Sequence, residues 1–352
     1  MKRKFVALFA AGAMAVCALF GGCSCTGNET LSFATINENN ERLEYTVKYS
    51  EDYNETTKKD ASIDGLFSFE YSDGKYISEI KKAAKSDELI KNSDILAITG
   101  GSGDPLVETV YLMTTEFTVD MKVVIGQTEY NHTEKITTTA YFAGTGVSLA
   151  PLYAKEDAEY LIISTGVESV QAYIVKSVSE TYYDKAEFRA VKTAKTFNAD
   201  EPAENITLDG VAAVETTGEY SFRSAIDNTE LLFAIRGVKA EENAPASLSV
   251  ISPAYDEPMP ISVNATATSE KTLNIKYNGE DVSATFQYKP LSFALNRTNA
   301  KGTSQYASVQ TSDAGAIKNN ALLIEYVKPL TTYGNYYKMG ALVFTLASAT
   351  IS

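Results

Sequence analysis

The stretch Phe117-Thr118-Val119-Asp120-Met121-Lys122-Val123-Val124-Ile125 decides the fold class. Phe117, Val119, Met121, Val123 and Ile125 alternate with Thr118, Asp120 and Lys122. Successive side chains of a strand point to opposite faces, so a period of two gathers the apolar groups on one side. The stretch therefore reads as a strand with one buried face. Gly126-Gln127 breaks the pattern, and the Thr-rich run Tyr130–Phe142 reads as the returning partner of a long hairpin.

Outward from this hairpin the same signal recurs. Strand-like runs rich in Thr, Val, Ile, Tyr and Phe occur at 43–49, 66–71, 109–115, 160–164, 172–178 and 187–191. Phe197 to Asn205 is polar, carries Pro202 and precedes a second series. That series runs 207–214, 219–224, 231–238, 246–251, 261–265, 273–277, 284–288, 293–296, 305–310, 321–327 and 342–346. Asn278-Gly279, between two of these runs, is a hairpin signal. One helical candidate interrupts the pattern. Over Ser78–Leu96, Ile80, Ala83, Ala84, Leu89 and Ile90 form a loose helical face, weakened by Ser86-Asp87. The expectation is a mostly β protein with two antiparallel β-sandwich or curved-sheet domains, 41–197 and 206–352, and at most one short helix near 78–96.

The N-terminus carries a different signal. Lys2, Arg3 and Lys4 precede the apolar run Phe5–Phe20, and Gly21-Gly22 stand before Cys23. This segment resembles the signal sequences of bacterial lipoproteins. The resemblance implies that residues 1–22 are removed and that Cys23 is lipidated through a thioether-linked diacylglyceryl group. Residues 23–40 then serve as a polar tether. It also implies an extracytoplasmic location on the cell membrane, because two or more acyl chains hold a protein stably where one does not.

The full chain has 31 basic and 45 acidic residues, net −14. Loss of Lys2, Arg3 and Lys4 leaves 28 basic residues against 45 acidic ones, net −17. Such a surface has no bulk attraction for nucleic acid, so no nucleic-acid partner is expected. All three cysteines, Cys17, Cys23 and Cys25, lie in or beside the signal segment, which leaves no disulfide framework and no thiolate zinc site in the body. His132 is the sole histidine and there is no tryptophan. A Ser-His-Asp mechanism would depend on His132 alone, and a multi-histidine metal site is excluded within one chain. His132 lies in the polar stretch Glu129–Glu134 and reads as a surface residue at a strand end. No cofactor and no metal are assigned.

Three further features carry chemistry. Thr99–Pro105 is glycine-rich but lacks the lysine of a phosphate loop. The adjacent acids Glu51-Asp52, Glu156-Asp157, Glu241-Glu242 and Glu280-Asp281 sit at expected turns and read as solvated. Tyr333, Tyr336 and Tyr337 cluster in an expected loop between the last two strands and form a candidate binding loop, since tyrosine gives amphipathic contact area. The leading expectation is a non-enzymatic binding or structural module, tied to the membrane at Cys23, with an unknown protein, glycan or lipid ligand. One alternative is a carrier or sensor of a hydrophobic ligand such as a lipid, suggested by the apolar face of the 114–142 hairpin. The other is a carboxylate-dependent hydrolase of cell-wall polymers.

Overall fold

A computed structural model describes residues 40–51, 65–83, 109–145, 148–165, 170–184, 189–198, 214–221, 225–251, 258–295, 304–318, 321–331, 333–334 and 338–352. The signal segment, the tether up to residue 39 and the glycine-rich stretch 99–105 lie outside them.

The 117–125 alternation sits in β4 (Thr109–Ile125), which pairs along its whole length with β5 (Thr128–Thr145). The two-residue turn uses Gly126 at a positive φ of 63°, which costs glycine little. β5 hands on to β6 (Ser148–Thr165), β7 (Val170–Asp184), β8 (Arg189–Asn198) and β9 (Val214–Ser221) as an antiparallel meander. On the other edge of β4 lie β2 (Phe67–Tyr71) and β3 (Gly74–Lys82). β1 (Glu41–Ser50) then joins β3 to β18 (Lys338–Ile351).

From β18 the sheet continues through β16 (Leu323–Thr331), β15 (Gln305–Gln310) and β14 (Glu280–Leu295). β14 is long enough to take β12 (Met259–Ala265) and β13 (Ser269–Tyr277) on different stretches of its length. β11 (Ala246–Ile251) pairs with β12, and the short β10 (Ala225–Asp227) runs parallel to β11. β13 also meets β18 through Lys276↔Ser348 and Tyr277↔Ala349. Strands 13, 14, 15, 16 and 18 therefore form a closed, barrel-like ring. Closure removes open edges, whose unpaired backbone groups invite association. The hairpin tip of this ring is Asn278-Gly279, both at positive φ (48° and 92°), as a two-residue hairpin of the primed type requires. Asn278 Oδ1 accepts from the Ile351 N–H, pinning the tip to the end of β18.

The architecture is mostly β, as the alternation indicates. The helical reading of 78–96 fails over Ser78–Lys82. That stretch is strand β3, hydrogen-bonded to β1 on one edge and β4 on the other. The rest of that segment, 84–96, is not among the described residues. Helix occurs instead at Asn228–Gly237, where the sequence reads as strand over 231–238. Asp227 and Glu230 form a reciprocal capping box there, and tertiary ladders were the deciding force at β3. Phe197 and Asn198, the start of the expected boundary segment, pair with Lys176 and Val175 inside the β7–β8 ladder. Residues 199–213 are not described. The main core draws on β1, β3, β4 and β5 and also on β11 to β16 and β18, with Leu43, Phe142, Phe286 and Leu342 buried together.

One polar device lies inside that core. Arg236 forks onto Glu41, Nη1 to Oε1 at 2.6 Å and Nη2 to Oε2 at 2.8 Å, and Nε donates to the Ala321 carbonyl. Both side chains are buried, at 4% and 6% exposure. Glu41 opens β1, so this pair fastens the first strand to the helical turn. Beside it the Asn40 and Ser352 backbones exchange both hydrogen bonds, which places the two ends of the described chain together.

Candidate binding surface

The pattern of β2 is Phe67, Phe69 and Tyr71 half-buried against exposed Ser68 and Glu70. Tyr49, near the end of β1, stacks on Tyr71 (ring centroids 5.7 Å apart) and meets Phe69 edge-on at 5.5 Å. Phe67 stacks on Phe69 at 6.2 Å. Offset and edge-to-face rings at such spacings are favourable beyond simple burial. Among the described residues Leu66, next in line, is the large hydrophobic side chain left exposed, at 40%.

Behind these rings lies a second, smaller core of Met121, Val123, Tyr130, Leu161, Ile163 and Ala172, on which Phe67, Phe69, Tyr71 and Leu330 pack. Its existence follows from a divergence in the sheet. The β5–β6 ladder ends at Lys135↔Glu159. Beyond it β6 keeps its pairing with β7, and Ser164 and Thr165 take β17 (Tyr333–Gly334) as a parallel neighbour. The Leu161 N–H, released from the ladder, donates to the Glu134 carboxylate. Burial pushes the Glu134 carboxyl above its ordinary value, while the Lys328 ammonium and that N–H draw it back. Tyr71 is held far above the ordinary phenol value, first by burial and then by the Glu134 charge, so it stays neutral and donor-competent.

The candidate loop is placed only in part. The Tyr333 backbone pairs with Ser164, at the end of β6 that carries Ile163 into the second core. Tyr336 and Tyr337 lie outside the described residues. The structure thus brings the start of this loop to the aromatic end. Leu66, Phe67 and Phe69 were legible as a strand, but their grouping with Tyr49 needs the pairing of β1, β2, β3 and β4 and has no local signal.

His132 departs from its sequence reading. It faces inward on β5, between Tyr130 and Glu134, and its side chain is 8% exposed. Its Nε2 is buried with no hydrogen-bond partner, and Glu159 Oε1 lies 4.0 Å away. Burial lowers its basicity, and the Glu159 charge partly opposes this.

Of the acid pairs, Glu156-Asp157 lies in β6 and Glu280-Asp281 at the start of β14, on strands where neighbours point apart. Glu241 closes a turn on Ala244, Glu51 sits in a bend and Asp52 is outside the described residues. Two buried carboxylates that come together among the described residues are Asp227 and Glu230. Thr181 Oγ1 donates to Asp227, and Tyr183 Oη donates to Glu230 at 2.8 Å while accepting from the Asp227 N–H at 2.6 Å. Both acids cap the helical turn, a structural assignment. Among the described residues no three metal-ligating side chains converge, and no helix is long and apolar enough to cross a membrane. A surface depression of about 610 Å³ lies at the β13–β14 hairpin, lined by Asn274, Lys276, Asp281, Ser283 and neighbours.

No protein-family model and no curated protein matches this chain. Among solved structures it is similar to the crystal structure of a β-barrel-like protein, a domain of unknown function (DUF1849) from Brucella abortus. The TM-score is 0.42 at 8% identity, over 89% of this chain and 98% of that one.

If the aromatic end is a contact surface rather than a folding element, Leu66 is the position that separates the two. Leu66→Asp is expected to change stability by less than about 0.5 kcal/mol in urea denaturation, as exposed sites do. A larger loss would mean that Leu66 is part of the core.

Proposed function

We propose that this chain is a membrane-tethered, extracytoplasmic lipoprotein whose β body is a non-enzymatic binding module, with the aromatic end as its contact surface. The observation that carries the reading is the exposed Leu66 beside the half-buried Phe67, Phe69, Tyr71 and Tyr49. Aromatic side chains with an apolar body and a polar tip are enriched at protein contacts and give large area at low entropic cost. The partner class is an extracytoplasmic protein or glycan. The Lys2–Cys23 segment supports the tether, and the single, inward-facing histidine supports a role without acid–base turnover.

Metabolic labelling with a fatty-acid analogue tests the tether. Cys23→Ala is expected to abolish the label and release the protein from membranes, and Cys25→Ala to leave both unchanged. Labelling that survives Cys23→Ala would overturn the tether.

The second reading, a lipid carrier, turns on the inner face of the 114–142 hairpin. Phe117, Val119, Met121, Val123, Ala140 and Phe142 are all buried among core side chains, which weighs against a ligand cleft along it. Native mass spectrometry of residues 26–352 is expected to show the bare chain. A co-purifying lipid would bring the carrier reading forward.

A further inference from the structure

Among the described residues β6 parts from β5 beyond Lys135↔Glu159, and the only histidine of the chain stands at that parting. Strand β5 over 128–134 is bonded to β4 alone among the described residues, so one edge of it relies on side chains to hold β6. Glu134 supplies one such hold, through the Leu161 N–H. His132 supplies none: its Nε2 is buried and unpartnered. A buried polar atom without a partner costs free energy and calls for a reason.

We propose that His132 is an acid-sensitive latch on this seam: its protonation places a cation on the inner face and loosens β6 from β5. A neutral imidazole can remain against Met121, its cross-strand partner, and the second core. An imidazolium there would have a buried Nε2–H with no hydrogen-bond partner, which disfavours it. The charged and titratable groups that face it are few. β6 offers Glu159, 4.0 Å away and 41% exposed, which draws the cation outward toward water. β5 itself carries Tyr130 and Glu134, β2 carries Tyr71, and β16 carries Lys328, whose charge is directed at Glu134. Asp120 and Lys122 of β4 are engaged with Thr133 and Glu129 on the opposite face.

The sign follows from linkage. A histidine less basic when folded than when free takes up its proton more readily in the opened seam. Opening is therefore favoured as pH falls below the free value of 6.5. Glu134 acts oppositely: its raised value makes the closed state bind a proton first, above 4.5. The seam roofs the second core on which Phe67, Phe69 and Tyr71 rest, so acid would loosen the proposed contact face. That consequence rests on the binding reading. The experiment below contains no partner, so either can fail alone.

The sole imidazole gives one unambiguous NMR titration in residues 26–352. Its midpoint is expected below 6.5 when folded, and lower still in Glu159→Gln, where the outward pull is lost. Each pH unit between folded and free midpoints makes opening about tenfold more populated in acid. Hydrogen exchange, corrected for intrinsic rates, should then rise on acidification at 129–134 and 160–164, with β13–β16 unaffected. His132→Asn should remove that response. A folded midpoint at or above 6.5, or an unchanged response in His132→Asn, would overturn the latch. If that variant does not fold, the titrations of the parent and Glu159→Gln decide alone.

Discussion

Arg236→Ala should cost the fold about 3–5 kcal/mol, the range for breaking a buried ion pair from one side. The guanidinium makes two bonds to Glu41 and a third to the Ala321 carbonyl, and lies over the Phe233 ring at 5.6 Å. Its removal strands a carboxylate that is itself buried. The charge must then be neutralised or hydrated at the start of β1, where the Asn40–Ser352 pairing also ends. Arg236→Lys should recover only part, because an ammonium cannot make the planar fork. Replacing Glu41 and Arg236 together with apolar residues of similar volume should be far milder than either single change, since no charge is left behind. The part-exposed Arg42, which bridges Glu44 and Glu79, is the control: Arg42→Ala should cost no more than about 1 kcal/mol. Urea denaturation with a shared slope measures all four. An Arg236→Ala loss under 1 kcal/mol would show that the clasp is solvated.

Phe344→Ala should be of similar size, about 3–5 kcal/mol, for a different reason. Phe344 sits on β18 and touches rings from three other strands: Tyr76 of β3 at 5.8 Å, Phe117 of β4 at 5.6 Å and Tyr326 of β16 at 5.2 Å. A cavity there unfills the place where the meander and the closed ring share one core, and those strands are held by ladders that prevent collapse. Unfolding followed by tyrosine fluorescence and by far-ultraviolet circular dichroism should shift together. A shift in one probe alone would show that the two halves unfold independently.

These two sites mark what the sequence could and could not disclose. The Phe117–Ile125 alternation and Asn278-Gly279 are local signals, and both translate directly into β4 and the β13–β14 turn. Ser78–Lys82 misleads because its helical spacing competes with two ladders formed by residues far along the chain. The helical turn at 228–237 has a local mark, Asp227-x-x-Glu230 before an apolar run, which the β-rich surroundings overshadow. His132 looks exposed because its neighbours Asn131 and Thr133 are polar, yet those two are the outward half of an alternating strand. The aromatic end and the Glu41–Arg236 clasp join segments tens to hundreds of residues apart, so no window of sequence contains them.

The central claim is that the aromatic end contacts a partner outside the cytoplasm. A photo-crosslinking amino acid at position 66 of the full chain, on intact cells, tests it most directly. A discrete adduct is expected, reduced at least tenfold when Tyr71→Ser is added to weaken the face and absent from the same probe at position 276 on the β13 surface. Equal adducts at both positions, or none at position 66 while 276 reacts, would contradict the account.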